Sequence, residues 1–152
     1  MPAADTTFSG LKIAQGAYTS AGRKEENEDC IGGRWADSEG DITKGFAAVV
    51  SDGVSAASGG KIAAELCVNG FLSDYFSTPE SWSIVSSASK VLDALNRWLY
   101  SQANLKGLAE EQGYVSTFSS LILCSRSAHI FHVGDSRVYR IREGRIKQLT
   151  RD

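Results

Sequence analysis

Over residues 115–149 the sequence settles into a rhythm that few folds can accommodate. Apolar and aromatic runs (Val115, Phe118, Leu121-Ile122-Leu123; Ile130, Phe131, Val133; Val138, Tyr139, Ile141) alternate with short polar turns. The turns are Ser125-Arg126-Ser127, Gly134-Asp135-Ser136 and Arg142-Glu143-Gly144; the last joins Tyr139-Arg140-Ile141 to Ile146-Lys147-Gln148-Leu149. This predicts an antiparallel meander. Upstream, Phe46-Ala47-Ala48-Val49-Val50 predicts a short strand buried on both faces, stopping at Ser51-Asp52-Gly53. Weaker strand signals lie in residues 11–18 and at Cys30-Ile31, with Gly32-Gly33 and residues 37–41 read as turns.

Two helical patterns separate the strand blocks. After Gly59-Gly60, the residues Ile62, Leu66, Leu72 and Phe76 recur at near-helical spacing. Thr78-Pro79 then predicts a fresh start, threonine as N-cap and proline as the first helical residue. Val85, Ala88, Leu92, Leu95 and Leu99 form one apolar stripe, with Trp82, Trp98 and Tyr100 expected to widen the packed face. Strands, helices and strands again predict an α+β domain with helices packed on sheet. A length of 152 residues suits one domain, here residues 11–152 after a loose segment at 1–10 and with a polar connection at 107–113.

Composition narrows the function. Sixteen Lys and Arg against 18 Asp and Glu give a net charge of −2, which excludes binding to nucleic acid driven by a strongly basic surface. No apolar stretch approaches the roughly 20 residues of a membrane helix, and Met-Pro-Ala-Ala-Asp is not the start of a signal peptide. A cytoplasmic location follows as the expectation. The three cysteines, Cys30, Cys67 and Cys124, have no metal-ligand spacing and are expected to be reduced, with Cys124 a buried small hydrophobe. Neither a G-x-x-x-x-G-K-[ST] loop nor a G-x-S-x-G elbow occurs.

Acidic residues gather at strand ends in three places: Asn27-Glu28-Asp29, Asp52-Gly53 and Gly134-Asp135-Ser136-Arg137. Carboxylates beside glycines that let a carbonyl turn inward suit hard cations such as Mg²⁺ or Mn²⁺. Asp and Gly are also the residues turns use.

The order of these segments resembles the type 2C family of metal-dependent protein serine/threonine phosphatases. The matching stretches are Gly22-Arg23-Lys24-Glu25-Glu26-Asn27-Glu28-Asp29, Val50-Ser51-Asp52-Gly53-Val54, Gly113-Tyr114-Val115-Ser116-Thr117, His132-Val133-Gly134-Asp135-Ser136-Arg137-Val138-Tyr139, and residues 143–152. Looser likeness over residues 52–65, 74–82 and 98–102 is to bacterial members that precede a protein kinase. The resemblance implies a β-sandwich flanked by helices, incomplete in this chain. It implies that Asp52 bridges two Mn²⁺ or Mg²⁺ ions, that the Gly53 carbonyl binds one, and that Asp29 with Glu28 holds metal-bound waters. Asp135 matches the position that helps a third, weaker ion bind in some bacterial members. The substrate implied is a phosphoserine or phosphothreonine on a protein, attacked directly by a metal-bridging hydroxide.

Three departures accompany it. The usual spacing puts the phosphate clamp at Lys24, whereas one inserted residue would restore Arg23; Lys offers a point charge where Arg offers a fork. Many relatives carry a proton-donating His shortly after the Asp-Gly pair, where this chain has Val54-Ser55. Its only histidines, His129 and His132, should face opposite ways on a strand, which leaves the general acid unassigned, with water one candidate. Finally, the family's domain is longer and holds further metal-binding aspartates in its C-terminal part. The chain is therefore expected to be an N-terminal portion, inactive alone, with exposed sheet edges through which it could oligomerise. The expected partners are a phosphoprotein and a fused or cognate kinase, with no nucleic acid and no membrane. The alternative is a phosphatase-like module that binds without catalysing.

Overall fold

The computed structural model describes residues 6–8, 11–36, 43–54, 59–107 and 113–152. Strands β1 (Thr6–Phe8) and β2 (Leu11–Ile13) form a short antiparallel pair. Residues 6–8 are thus ordered into a strand inside the segment expected to be loose; the rest of that segment lies outside the described residues, as do the turn at 37–41 and most of the connection at 107–113. Four strands make the main antiparallel sheet in the order β3-β4-β5-β6: β3 (Asp29–Trp35), β4 (Phe46–Asp52), β5 (Phe118–Cys124) and β6 (Ser127–Val133). The hairpin β7 (Tyr139–Arg142) and β8 (Arg145–Gln148) is a separate sheet. The expected meander is therefore broken at Gly134-Asp135-Ser136, where the chain leaves the main sheet instead of turning back along it.

Helices α1 (Gly60–Phe76) and α2 (Ile84–Leu105) connect β4 to β5, and the core forms where α1 lies on one face of the sheet. Strand alternation sorts the residues. Ala47, Val49 and Ser51 of β4 point under α1 and are fully buried, while Val50 on the other face is 42% exposed. The expectation of burial on both faces holds for one only, because α1 and α2 supply a single layer of cover.

Gly32 and Gly33 belong to β3 rather than to a turn. Gly32 faces α1, and a Cβ there would stand 2.7 Å from Val68 Cγ1 and 2.8 Å from Leu72 Cδ1. Its lack of a side chain is what lets the helix descend onto the strand.

The helical stripes are offset from those expected. In α1 the buried set is Ala63, Ala64, Cys67, Val68, Phe71, Leu72, Tyr75 and Phe76, while Ile62 is exposed. In α2, Ala88, Val91 and Leu99 are buried, but Val85, Trp98 and Tyr100 face outward, as does Trp82 just ahead of the helix. Trp82 instead stacks under the Lys90 ammonium, 4.5 Å from the ring centroid. Thr78 does not cap α2, because its hydroxyl is bound to the Tyr75 carbonyl at 2.7 Å. The cap is Ser83, whose Oγ accepts the Ser86 N–H at 3.1 Å. All three cysteines are free thiols; Cys124 is half-buried, with its sulfur 3.3 Å from the Thr43 carbonyl.

Candidate metal centre

Asp29 opens β3 and Asp52 closes β4, and the antiparallel register sets them directly opposite one another. Both lie on the face of the sheet away from the helices, as paired residues share a face. The Asp52 carboxyl is pushed above the ordinary carboxylate range, first by partial burial, then by the charge and hydrogen bonding of Asp29. Lys24 pulls it back, and Asp135 adds a further upward push. The register thus pairs Asp29 with Asp52, while the charges of Lys24, in the loop before β3, and Asp135, in the turn after β6, act on Asp52.

Local chemistry holds each carboxylate in place. The Asn27 side chain accepts the Asp29 N–H at 3.1 Å and donates to Thr19 Oγ1 at 2.8 Å. Thr19 Oγ1 in turn stands 3.5 Å from Asp29 Oδ2. At Asp52 the backbone is tied on both sides: its N–H donates to Thr117 Oγ1 at 3.0 Å and its carbonyl accepts from Thr117 N at 2.8 Å and Ser116 Oγ at 2.9 Å. Thr117 Oγ1 also bonds Ser136 Oγ at 2.9 Å, so one hydroxyl links the Asp52 strand to the turn that carries Asp135. Replacing Thr117 with valine should lower stability by about 1–2 kcal/mol, measured by denaturant melting. A melt indistinguishable from the parent would show that the link carries no weight.

The other expected site residues fall differently. Glu28 turns toward the start of α1, where its Oε1 would stand 3.0 Å from a Cβ on Gly60, and it pairs with Lys24 at 3.6 Å. A carboxylate there is favoured by the positive end of the helix. Arg23 is exposed and is not among the groups acting on Asp52. Gly53 is buried, its N–H donating to the Glu28 carbonyl at 3.1 Å. A Cβ on it would stand 2.2 Å from the Gly60 carbonyl oxygen, so only glycine lets α1 begin this close to the end of β4.

His132 and His129 pair with Ser119 and Ile122, on opposite faces as expected. His132 shares the face of Asp52, with Nδ1 2.9 Å from Ser119 Oγ.

The centre offers oxygen donors only, and two mutually repelling carboxylates are what a hard divalent cation relieves. This fits Mn²⁺ or Mg²⁺ as far as it goes. Among the described residues, no three His, Cys, Asp or Glu side chains converge on one point, so the shell is partial.

Sequence reasoning gave no role to Thr19, Ser116 or Thr117. Residues 113–117 stood out as a matching stretch, and that was the available signal.

An antiparallel sheet backed by two helices, with carboxylates at the strand ends of its open face, defines an α+β domain built around an acidic centre. The chain belongs to the protein phosphatase 2C family, whose family model matches residues 19–152. No curated protein matches it. Solved structures do. PppA, a key regulatory component of T6SS in Pseudomonas aeruginosa, is 24% identical, with 85% of this chain and 51% of that one covered and a TM-score of 0.64. The serine/threonine phosphatase Stp1 from Staphylococcus aureus is 24% identical over 84% of this chain and 48% of that one, with a TM-score of 0.66. The catalytic domain of the serine/threonine phosphatase PstP, a protein of Mycobacterium tuberculosis, was solved with two manganese ions. It is 21% identical over 85% of this chain and 50% of that one, at a TM-score of 0.66. At such identities the likeness shows the fold, and the chain spans about half the length of these relatives. Among the described residues no helix is long and apolar enough to cross a membrane.

Proposed function

We propose that the chain carries part of the site of a metal-dependent protein phosphatase acting on phosphoserine and phosphothreonine. The observation that carries this reading is the direct opposition of Asp29 and Asp52 at the strand ends, in a chain of the protein phosphatase 2C family. Asp52 would be the shared ligand, with Asp29 and the Gly53 carbonyl beside it and Asp135 at a more distant position. Divalent cations held there would supply the positive charge that activates water and neutralises phosphate oxygens. The chain's own residues do the rest. Lys24 draws the phosphate electrostatically toward the carboxylates, and Lys24 suits this role better than Arg23 because it already acts on Asp52. Thr117 and Asn27 hold the backbones of the two carboxylates so that neither swings away.

Residues 11–152 are read as the N-terminal portion of the domain, with the remaining ligands outside this chain. The match to about half of each solved relative supports this. A kinase, fused or separate, would supply the phosphoprotein in a bacterial cytoplasmic signalling pair.

The test is Mn²⁺-dependent hydrolysis of p-nitrophenyl phosphate by this chain and by the whole gene product that contains it. The whole product should be active and the isolated chain silent. Inactivity of the whole product with both Mn²⁺ and Mg²⁺ would leave the second reading, a phosphatase-like binding module. That reading draws on the partial shell and on the absence of a histidine just after Asp52-Gly53.

A further inference from the structure

The hairpin β7–β8 has a charge distribution that the metal centre does not use. Its register sets Arg140 opposite Lys147 and Arg142 opposite Arg145. Opposed residues share a face and lie about 5 Å apart, and residues two apart along a strand share a face at roughly 7 Å. All four cations therefore occupy one face of a four-residue ladder, and all four are exposed. Among the described residues none of them has a carboxylate partner. Like charges set directly across a ladder destabilise it, so folding alone gives no reason for this arrangement. Six of the chain's 16 Lys and Arg fall within residues 137–151, although the chain as a whole carries a net charge of −2. Four of those six stand on the ten-residue hairpin itself, against the single acid Glu143 in its turn, while Arg137 is paired with Asp152.

We propose that this face is a docking surface for an acidic, extended segment of a partner protein. An extended chain places alternate side chains on one side at a repeat of roughly 7 Å, which matches the spacing of Arg140 to Arg142 and of Arg145 to Lys147. Alternating Asp or Glu would meet each cation in turn, with arginine able to grip a carboxylate through two donors. The patch is one hairpin long, too short to track a nucleic-acid backbone, and the remainder of the chain is acidic and would repel one. The proposal is independent of catalysis.

The probe is a fluorescein-labelled peptide of alternating Glu and Ser. It is titrated by anisotropy at low salt against this chain and against the whole gene product that contains it. Loss of binding in the whole product would overturn the proposal. Binding should weaken by about tenfold in 0.3 M salt and by about tenfold or more in the Arg142→Glu/Arg145→Glu variant. The Arg142→Lys/Arg145→Lys variant should retain most of the affinity. The Lys12→Glu variant, with the same charge change on β2, should bind as the parent does. Lys147→Glu gives readouts of opposite sign: it should raise Tm by roughly 2 °C by relieving the opposed cations, while weakening the peptide. Equal binding of a Gln-Ser peptide would overturn the proposal, as would undiminished binding by the charge-reversed variant. So would tighter binding to a single-stranded oligonucleotide or to phosphatidylglycerol vesicles. Dimeric mass by light scattering, lost in the charge-reversed variant, would assign the face to a second copy instead and equally overturn it.

Discussion

Replacing Asp52 with asparagine should reduce Mn²⁺-dependent phosphate release by the whole gene product by about a thousandfold or more. Asp52 faces Asp29 across the ladder, and the charge of Asp135 also acts upon it. As a metal ligand, Asp52 would help neutralise the divalent cations the site is proposed to hold, and an amide would offer the oxygen without the charge. The same substitution removes one of two repelling charges. Without metal, the Asp52→Asn protein should therefore be at least as stable as the parent, while the parent alone should gain Tm when Mn²⁺ is added. The pairing of these results separates lost chemistry from lost folding. An Asp52→Asn enzyme retaining a tenth of its activity would remove Asp52 from the central role.

Lys44→Ala should be the most damaging change away from the site. Lys44 is 1% exposed, and its Nζ donates to Ser87 Oγ at 2.7 Å, Thr78 Oγ1 at 2.8 Å and the Pro79 carbonyl at 3.1 Å. Its own carbonyl accepts from Tyr75 Oη at 3.1 Å, and the ammonium lies 5.6 Å from the Tyr75 ring centroid. One side chain thus fastens the approach to β4 onto the junction of α1 and α2. Removing it takes three charge-assisted bonds from the junction and leaves a cavity, costing about 3 kcal/mol, or roughly 10 °C in Tm. This holds even though Thr78 and Ser87 still bond each other at 2.9 Å and the Pro79 carbonyl keeps the Trp82 N–H at 3.0 Å. Lys44→Met, which keeps the stem, should lose nearly as much, because the loss resides in the ammonium's bonds. A shift under about 1 kcal/mol in both variants would sink this account.

Lys44 also shows where sequence reading stops. A lysine before an apolar strand carries no local mark of burial, since all three acceptors arrive from the α1–α2 junction and α2, more than thirty residues away. The strands β5 and β6 and the β7–β8 hairpin were legible because period-two alternation and turn residues are local properties. Helix α2 was legible for the same reason, but which of its residues met a neighbour was not. Val85 and Trp98 fit the pattern and face outward. Gly32-Gly33 was misread because glycine punctuates turns and also permits close helix contact, and only the position of Val68 and Leu72 decides between them. At the site, Asp29, Asp52 and Asp135 stood out as acidic motifs. The meeting of Asp29 with Asp52 depends on strand register, and the work of Thr117 depends on contacts across 65 residues of chain.

The alternation within β4 has one more consequence. Val49 and Ser51 point into the core while Asp52 points into the open face, one residue apart. A slip of a single position would drive the Asp52 carboxylate beneath α1 and turn Val49 out to water, an error penalised twice over. The acid that equips the open face thereby also proofreads the pairing of the strand that carries it.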